Sequence, residues 1–94
     1  MNIEIHGDKI STESRFHNEI ARQFDVELYY GKNLDALWDL LSVGVERPIN
    51  LIWVNSNTSK EKLSCFEDIV FILEKVKKQD EQFNLEEKFT YVLA

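Results

Sequence analysis

The chain has 94 residues, 44% of them hydrophobic, and carries a formal net charge of −6 from 11 basic and 17 acidic side chains. That length suits one domain spanning residues 1–94, and the apolar content is too high for disorder. The acidic excess argues against direct nucleic-acid binding through phosphates and fits a basic partner, while no apolar run approaches the ~18 residues a membrane span needs.

Residues 2–5 alternate polar and apolar, which predicts a short strand, and Gly7-Asp8 is a turn signal. Residues 1–8 lack the basic and apolar regions of a secretory signal. Ser11 or Thr12 can cap a helix that runs to about Phe24, with Phe16, Ile20 and Phe24 as its apolar stripe. A loop over residues 25–32 follows. It carries Tyr29-Tyr30-Gly31, unusual because most tyrosines bury their rings. Asn33 is a good cap for a second helix over residues 34–43, which Gly44 is placed to end.

Arg47-Pro48 calls for an extended entry into a strand over residues 49–54. That strand is mostly apolar on both faces, which predicts the centre of a covered sheet. Residues 55–59 read as a polar loop. Thr58-Ser59-Lys60-Glu61 and Ser64-Cys65-Phe66-Glu67 both fit capping boxes, predicting a short helix and then a longer one. Phe66, Ile69, Val70, Leu73 and Val76 form the stripe of the longer helix, and Lys75, Lys77 and Lys78 fall near its end. A final strand covers residues 89–93. The order β-α-α-β-α-α-β predicts an α/β fold, a three-stranded parallel sheet packed with helices. Trp53, Cys65, Phe66 and Phe71 read as packing residues, and His17 as a surface or core-edge residue. The single Cys65 cannot form an intramolecular disulfide, and with no secretory signal this predicts a cytoplasmic location.

The second helix carries the chemistry. At about 100° per residue, with Asp35 at the origin, Asp39 falls at about 40° and Trp38 at about 300°, whereas Leu34, Leu37 and Leu41 cluster near about 200–260°. The leucines face the core, and both carboxylates stand away from it with Trp38 at the edge of their patch. Like charges four residues apart repel, and no cation on this helix offsets them. A locally unfavourable pair points to a functional surface, with a merely solvated acidic face as the alternative. Half of the net charge, −3, lies between Asp25 and Arg47, from five acids against two bases.

The run Tyr29-Tyr30-Gly31-Lys32-Asn33-Leu34-Asp35-Ala36-Leu37-Trp38-Asp39-Leu40-Leu41 resembles the signature of the barstar family of ribonuclease inhibitors. Val45-Glu46-Arg47-Pro48 and the following strand with Trp53 are also similar, and the likeness extends over essentially the whole chain. The resemblance implies a barstar-like fold and an intracellular inhibitor of a barnase-like guanyl-specific ribonuclease, bound as a monomer in a 1:1 complex. It implies that Tyr29, Gly31, Asn33, Asp35, Trp38 and Asp39 contact the partner, with Asp39 central. Asn33 is equally a helix cap. Ser42-Val43-Gly44 departs from the family, which often has an aromatic after this helix, and Lys32 departs by being basic in place of an acid. Some members place another acid on the last helix; one register sets Val76 there and a one-residue slip sets Lys75.

Two other readings stand beside this one. The first is a binding module of the same fold, or an immunity protein, directed at a different toxin nuclease or basic partner. The second is an enzyme, disfavoured because neither His6 nor His17 lies in a nucleophile or metal-binding pattern and no phosphate-binding loop exists. No cofactor and no metal are expected.

Overall fold

The computed structural model describes all 94 residues, Met1–Ala94. Three strands, β1 (Asn2–His6), β2 (Ile49–Val54) and β3 (Phe89–Leu93), form one parallel sheet in the order β1-β2-β3. The register sets Ile5 beside Trp53 and Ile49 beside Phe89. Four α-helices fill the crossovers: α1 (Glu13–Gln23), α2 (Leu34–Asp39), α3 (Ser56–Lys62) and α4 (Phe66–Gln82). The predicted α/β order is therefore the observed one.

β2 is central, as its composition predicts, but the sheet is covered on one face only. Ile49, Leu51 and Trp53 are buried, whereas Asn50 and Ile52 on the opposite face are exposed. The cause is topological. Right-handed crossovers that step the same way across a sheet deliver every helix to the same side. The open face is held by a polar ladder: Thr90 Oγ1 donates to Asn50 Oδ1 (2.7 Å), and Asn50 Nδ2 donates to Asn2 Oδ1 (3.2 Å). The free edge of β1 is covered by the Gln23 side chain, which accepts from the Glu4 N–H and donates to the Glu4 carbonyl.

A core of 22 buried residues lies between the sheet and the helices. Trp53 is at its centre, stacked on Phe16 with ring centroids 5.2 Å apart and tilted against Phe66 at 5.0 Å. Its indole N–H donates to Ser59 Oγ (3.0 Å), and the Ser59 hydroxyl donates to the Gly7 carbonyl (3.0 Å). Ser59 is therefore a buried core residue. The expected polar loop over residues 55–59 is instead the single left-handed residue Asn55 (φ 53°), after which α3 starts directly. Neither predicted capping box forms a side-chain cap: Thr58 lies inside α3, and the cap position of α4 is Cys65 without a side-chain bond. Packing of Leu63, Cys65 and Phe66 into the core fixes that junction instead.

Three further expectations are corrected. His17 is fully buried, because its ring has a hydrogen-bond partner at each nitrogen. Phe71 is 69% exposed, because it falls off the buried stripe of α4, which is Phe66, Ile69, Leu73, Val76 and Asp80. Lys75, Lys77 and Lys78 do not lie in the last turn of α4, since that helix continues to Gln82.

Candidate functional site

α2 spans only six residues and continues as one π-helical turn, Leu40–Gly44. A helix that short is not stable by itself. Four features hold it. Asn33 Oδ1 accepts from the Ala36 N–H (2.7 Å), capping the start. Leu37, Leu40 and Leu41 are buried in the core. Gln79 on α4 donates to the Ser42 carbonyl (3.2 Å), fixing the far end. Beyond it, Arg47 forms a fork on Asp80, Nε to Oδ2 at 2.7 Å and a terminal nitrogen to Oδ1 at 3.1 Å, and also donates to the Val45 carbonyl. Gly44 closes the helix without a left-handed φ, so the turn widens into a π geometry rather than ending in a glycine cap.

Asp80 is itself buried and accepts the Phe89 N–H (2.7 Å). Burial pushes its carboxyl up. The Arg47 hydrogen bond, the Phe89 N–H and the Arg47 and Lys88 charges outweigh that, leaving it below the ordinary aspartate value.

The leucine positions are fixed, so the opposite face follows from helix geometry. Asp35 and Asp39 are both exposed. Neither takes part in any of the six ion pairs of the chain or in any side-chain hydrogen bond. Trp38 is half-buried at the edge of their patch, with the Lys75 ammonium of α4 lying 4.2 Å from its ring centroid. The two carboxylates are thus unmatched acceptors, backed by a rigid apolar support and flanked by an aromatic ring.

The loop ahead of α2 completes the surface. Its adjacent tyrosines divide. Tyr29 is 75% exposed, whereas Tyr30 is buried, with its hydroxyl 2.6 Å from His17 Nδ1; His17 Nε2 in turn lies 3.0 Å from Glu13 Oε2. Burial, with the Glu13 carboxylate adding to it, pushes the Tyr30 phenol above its ordinary value. Gly31 is exposed and close to α2. A Cβ there would stand 3.1 Å from Ala36 Cβ, so a larger residue would force loop and helix apart. Between loop and helix lies a notch of about 280 Å³ lined by Tyr29, Tyr30, Gly31, Ala36, Leu40 and Gly44, with Asp39 on its wall. Val43, beside Gly44, is 84% exposed and Leu28 wholly so.

All six residues singled out from the sequence therefore lie on one segment, residues 29–39, and five of them are exposed, Trp38 being half-buried. Sequence reasoning missed Lys75 as a neighbour of Trp38 and His17 as the anchor of the loop. Spacing within one helix reveals neither, because each contact joins two elements. No cluster of three or more His, Cys, Asp or Glu side chains is placed to hold a metal ion, and no helix is long and apolar enough to cross a membrane.

The profile of the family described as Barstar (barnase inhibitor) matches residues 1–93. A protein of Bacillus subtilis (strain 168) named "Putative ribonuclease inhibitor YrdF" is 33% identical over 91 residues, covering 97% of this chain and 96% of that protein. The match takes in all three strands, the four helices and the carboxylate-bearing segment between them, and on that footing the chain belongs to the barstar family.

Proposed function

We propose that this protein is an intracellular inhibitor of a barnase-like guanyl-specific ribonuclease, an immunity protein that blocks the enzyme's active site with α2 and the adjoining loop. The observation that carries this reading is the pair of exposed carboxylates, Asp35 and Asp39, left without partners on a helix whose other face is locked into the core.

A ribonuclease binds a phosphodiester, so its cleft holds Arg, Lys and His donors. A carboxylate set where the phosphate would lie accepts those donors in charge-assisted bonds, strengthened as water is expelled. Asp39 is the mimic and Asp35 the second acceptor. Tyr29 and Trp38 supply rigid ring area that keeps water from the ion pairs. Gly31 lets the loop lie close to α2, and Asn33 both caps the helix and offers its amide to the partner. The notch beside Asp39 gives the partner a recess to fill. The 94-residue chain acts as one domain, binds one nuclease molecule in the cytoplasm, and performs no chemistry of its own.

The test is to titrate the chain into a barnase-like ribonuclease and follow RNA cleavage. Stoichiometric loss of activity that Asp39→Ala removes is the expected result. No inhibition of several such enzymes refutes the reading. A second reading, an immunity protein for a different toxin nuclease, is favoured by the cations Lys32 and Lys75 on and beside the same face; inhibition of a toxin nuclease but of no barnase-like enzyme would select it.

A further inference from the structure

Lys75 is exposed on α4, with its ammonium over the Trp38 ring. It forms no ion pair with any carboxylate of the chain. Phe71, one turn earlier on the same helix, is also exposed. The acceptor face of α2 thus runs across Trp38 onto α4, and its charge changes sign there. The contact with the indole holds the cation in place rather than leaving it free on a flexible stem.

On the inhibitor reading above, the partner covers Trp38. It cannot do so without also stripping water from Lys75. A cation desolvated without a counter-charge is costly, and a like charge opposite it costs more. We propose that Lys75 selects the partner by charge: the ribonuclease that is accepted has an acidic side chain facing Lys75, beside the basic cleft that receives Asp35 and Asp39. The complementary surface is bipolar, with a cationic floor and an anionic point on its rim. Enzymes that are basic at that point of the rim are held weakly.

The experiment uses three forms of the chain: the parent, Lys75→Met, which keeps an aliphatic stem against Trp38 without the charge, and Lys75→Glu. Melting curves first establish that all three are folded. Each is then titrated against barnase and against barnase variants in which rim lysines and arginines are changed one at a time to glutamate. The parent is expected to inhibit at least one rim variant about tenfold more tightly than barnase itself. That gain should vanish with Lys75→Met. Lys75→Glu should reverse the preference and inhibit unmodified barnase about tenfold better than the parent does. If all three forms inhibit barnase and every rim variant alike, Lys75 does not select and the proposal is overturned, while the inhibitor reading stands. If no form inhibits any of these enzymes, the inhibitor reading fails and the proposal fails with it.

Discussion

Asp39→Ala separates the cost of the acidic pair from its use. In the free protein the substitution removes a like-charge contact four residues from Asp35, a gain of about 0.2–0.5 kcal/mol, and replaces a poor helix former with the best one, a gain of up to about 0.7 kcal/mol. Asp39 has no partner to lose. The net expectation is about 0.5–1 kcal/mol of added stability, or a rise of roughly 2–8 °C in melting midpoint for a domain of this size. Asp35→Ala should be nearly neutral, because that carboxylate also gains roughly 0.3–1 kcal/mol from the helix N-terminus. Binding should move the other way. A carboxylate that accepts two charge-assisted bonds at about 1.5–3 kcal/mol each loses about 3–6 kcal/mol on truncation, a hundredfold to ten-thousandfold weaker inhibition. Thermal unfolding followed by circular dichroism, and inhibition titrations on the same samples, measure both. A midpoint that drops by several degrees would show that Asp39 supports the fold. Inhibition unchanged by the substitution would show that it does not touch the enzyme.

Three further outcomes are expected. Asp80→Asn leaves the Arg47 guanidinium unmatched in a buried site and should lower stability by about 3–5 kcal/mol, seen as a midpoint fall of more than roughly 10 °C. The folded-state pKa of Asp80 lies below its unfolded value of about 3.9, so its contribution is present above that pH and lost as pH falls through the folded value; acid titration of the parent and Asp80→Asn should therefore converge at low pH. Tyr30→Phe removes the hydroxyl bonded to the buried His17 and should cost about 1–3 kcal/mol of stability, with weaker inhibition because the loop loses its anchor; a variant as stable and as inhibitory as the parent would exclude that role. The association rate with the nuclease should fall about tenfold between ~10 mM and ~500 mM salt, given the −3 carried by residues 25–47; a flat rate measured by stopped flow would rule out steering.

Much of the fold was legible in the sequence because local pattern and global topology agree. The strand over residues 49–54, the last strand and the Asn33 cap all fall where composition and spacing set them. The failures share a cause: each depends on which neighbour a residue meets. Ile52 is apolar yet lies on the open face, since both crossovers deliver their helices to the side of Ile49, Leu51 and Trp53 and leave the side it shares with Asn50 uncovered. Ser59 reads as polar surface but turns inward, because Trp53 needs an acceptor for its indole N–H. Tyr29 and Tyr30 look alike in sequence and part in space, because only Tyr30 can reach His17. Within the candidate site, the helical wheel separates Asp35 and Asp39 from the leucines without any tertiary information. Lys75 becomes visible only once α4 is laid against α2.

The scaffold around α2 explains how so short an element can present an unfavourable charge pair. The helix contributes little stability of its own, and the repulsion between its two carboxylates subtracts from that. What keeps it helical is supplied from elsewhere: three leucines in the core, Gln79 on the Ser42 carbonyl, the Arg47–Asp80 fork behind its C-terminal turn, and the Glu13–His17–Tyr30 chain under its loop. Acceptors fixed in this way lose little freedom when a partner binds, and the association is correspondingly less costly. On the proposed inhibitor reading, residues outside the α2 face, Asp80 and His17 among them, should act on affinity through the order they impose on α2 and its loop. Their substitution should raise the dissociation rate more than it lowers the association rate, because encounter depends on charge that those changes leave on the surface, whereas lifetime depends on how firmly that charge is held.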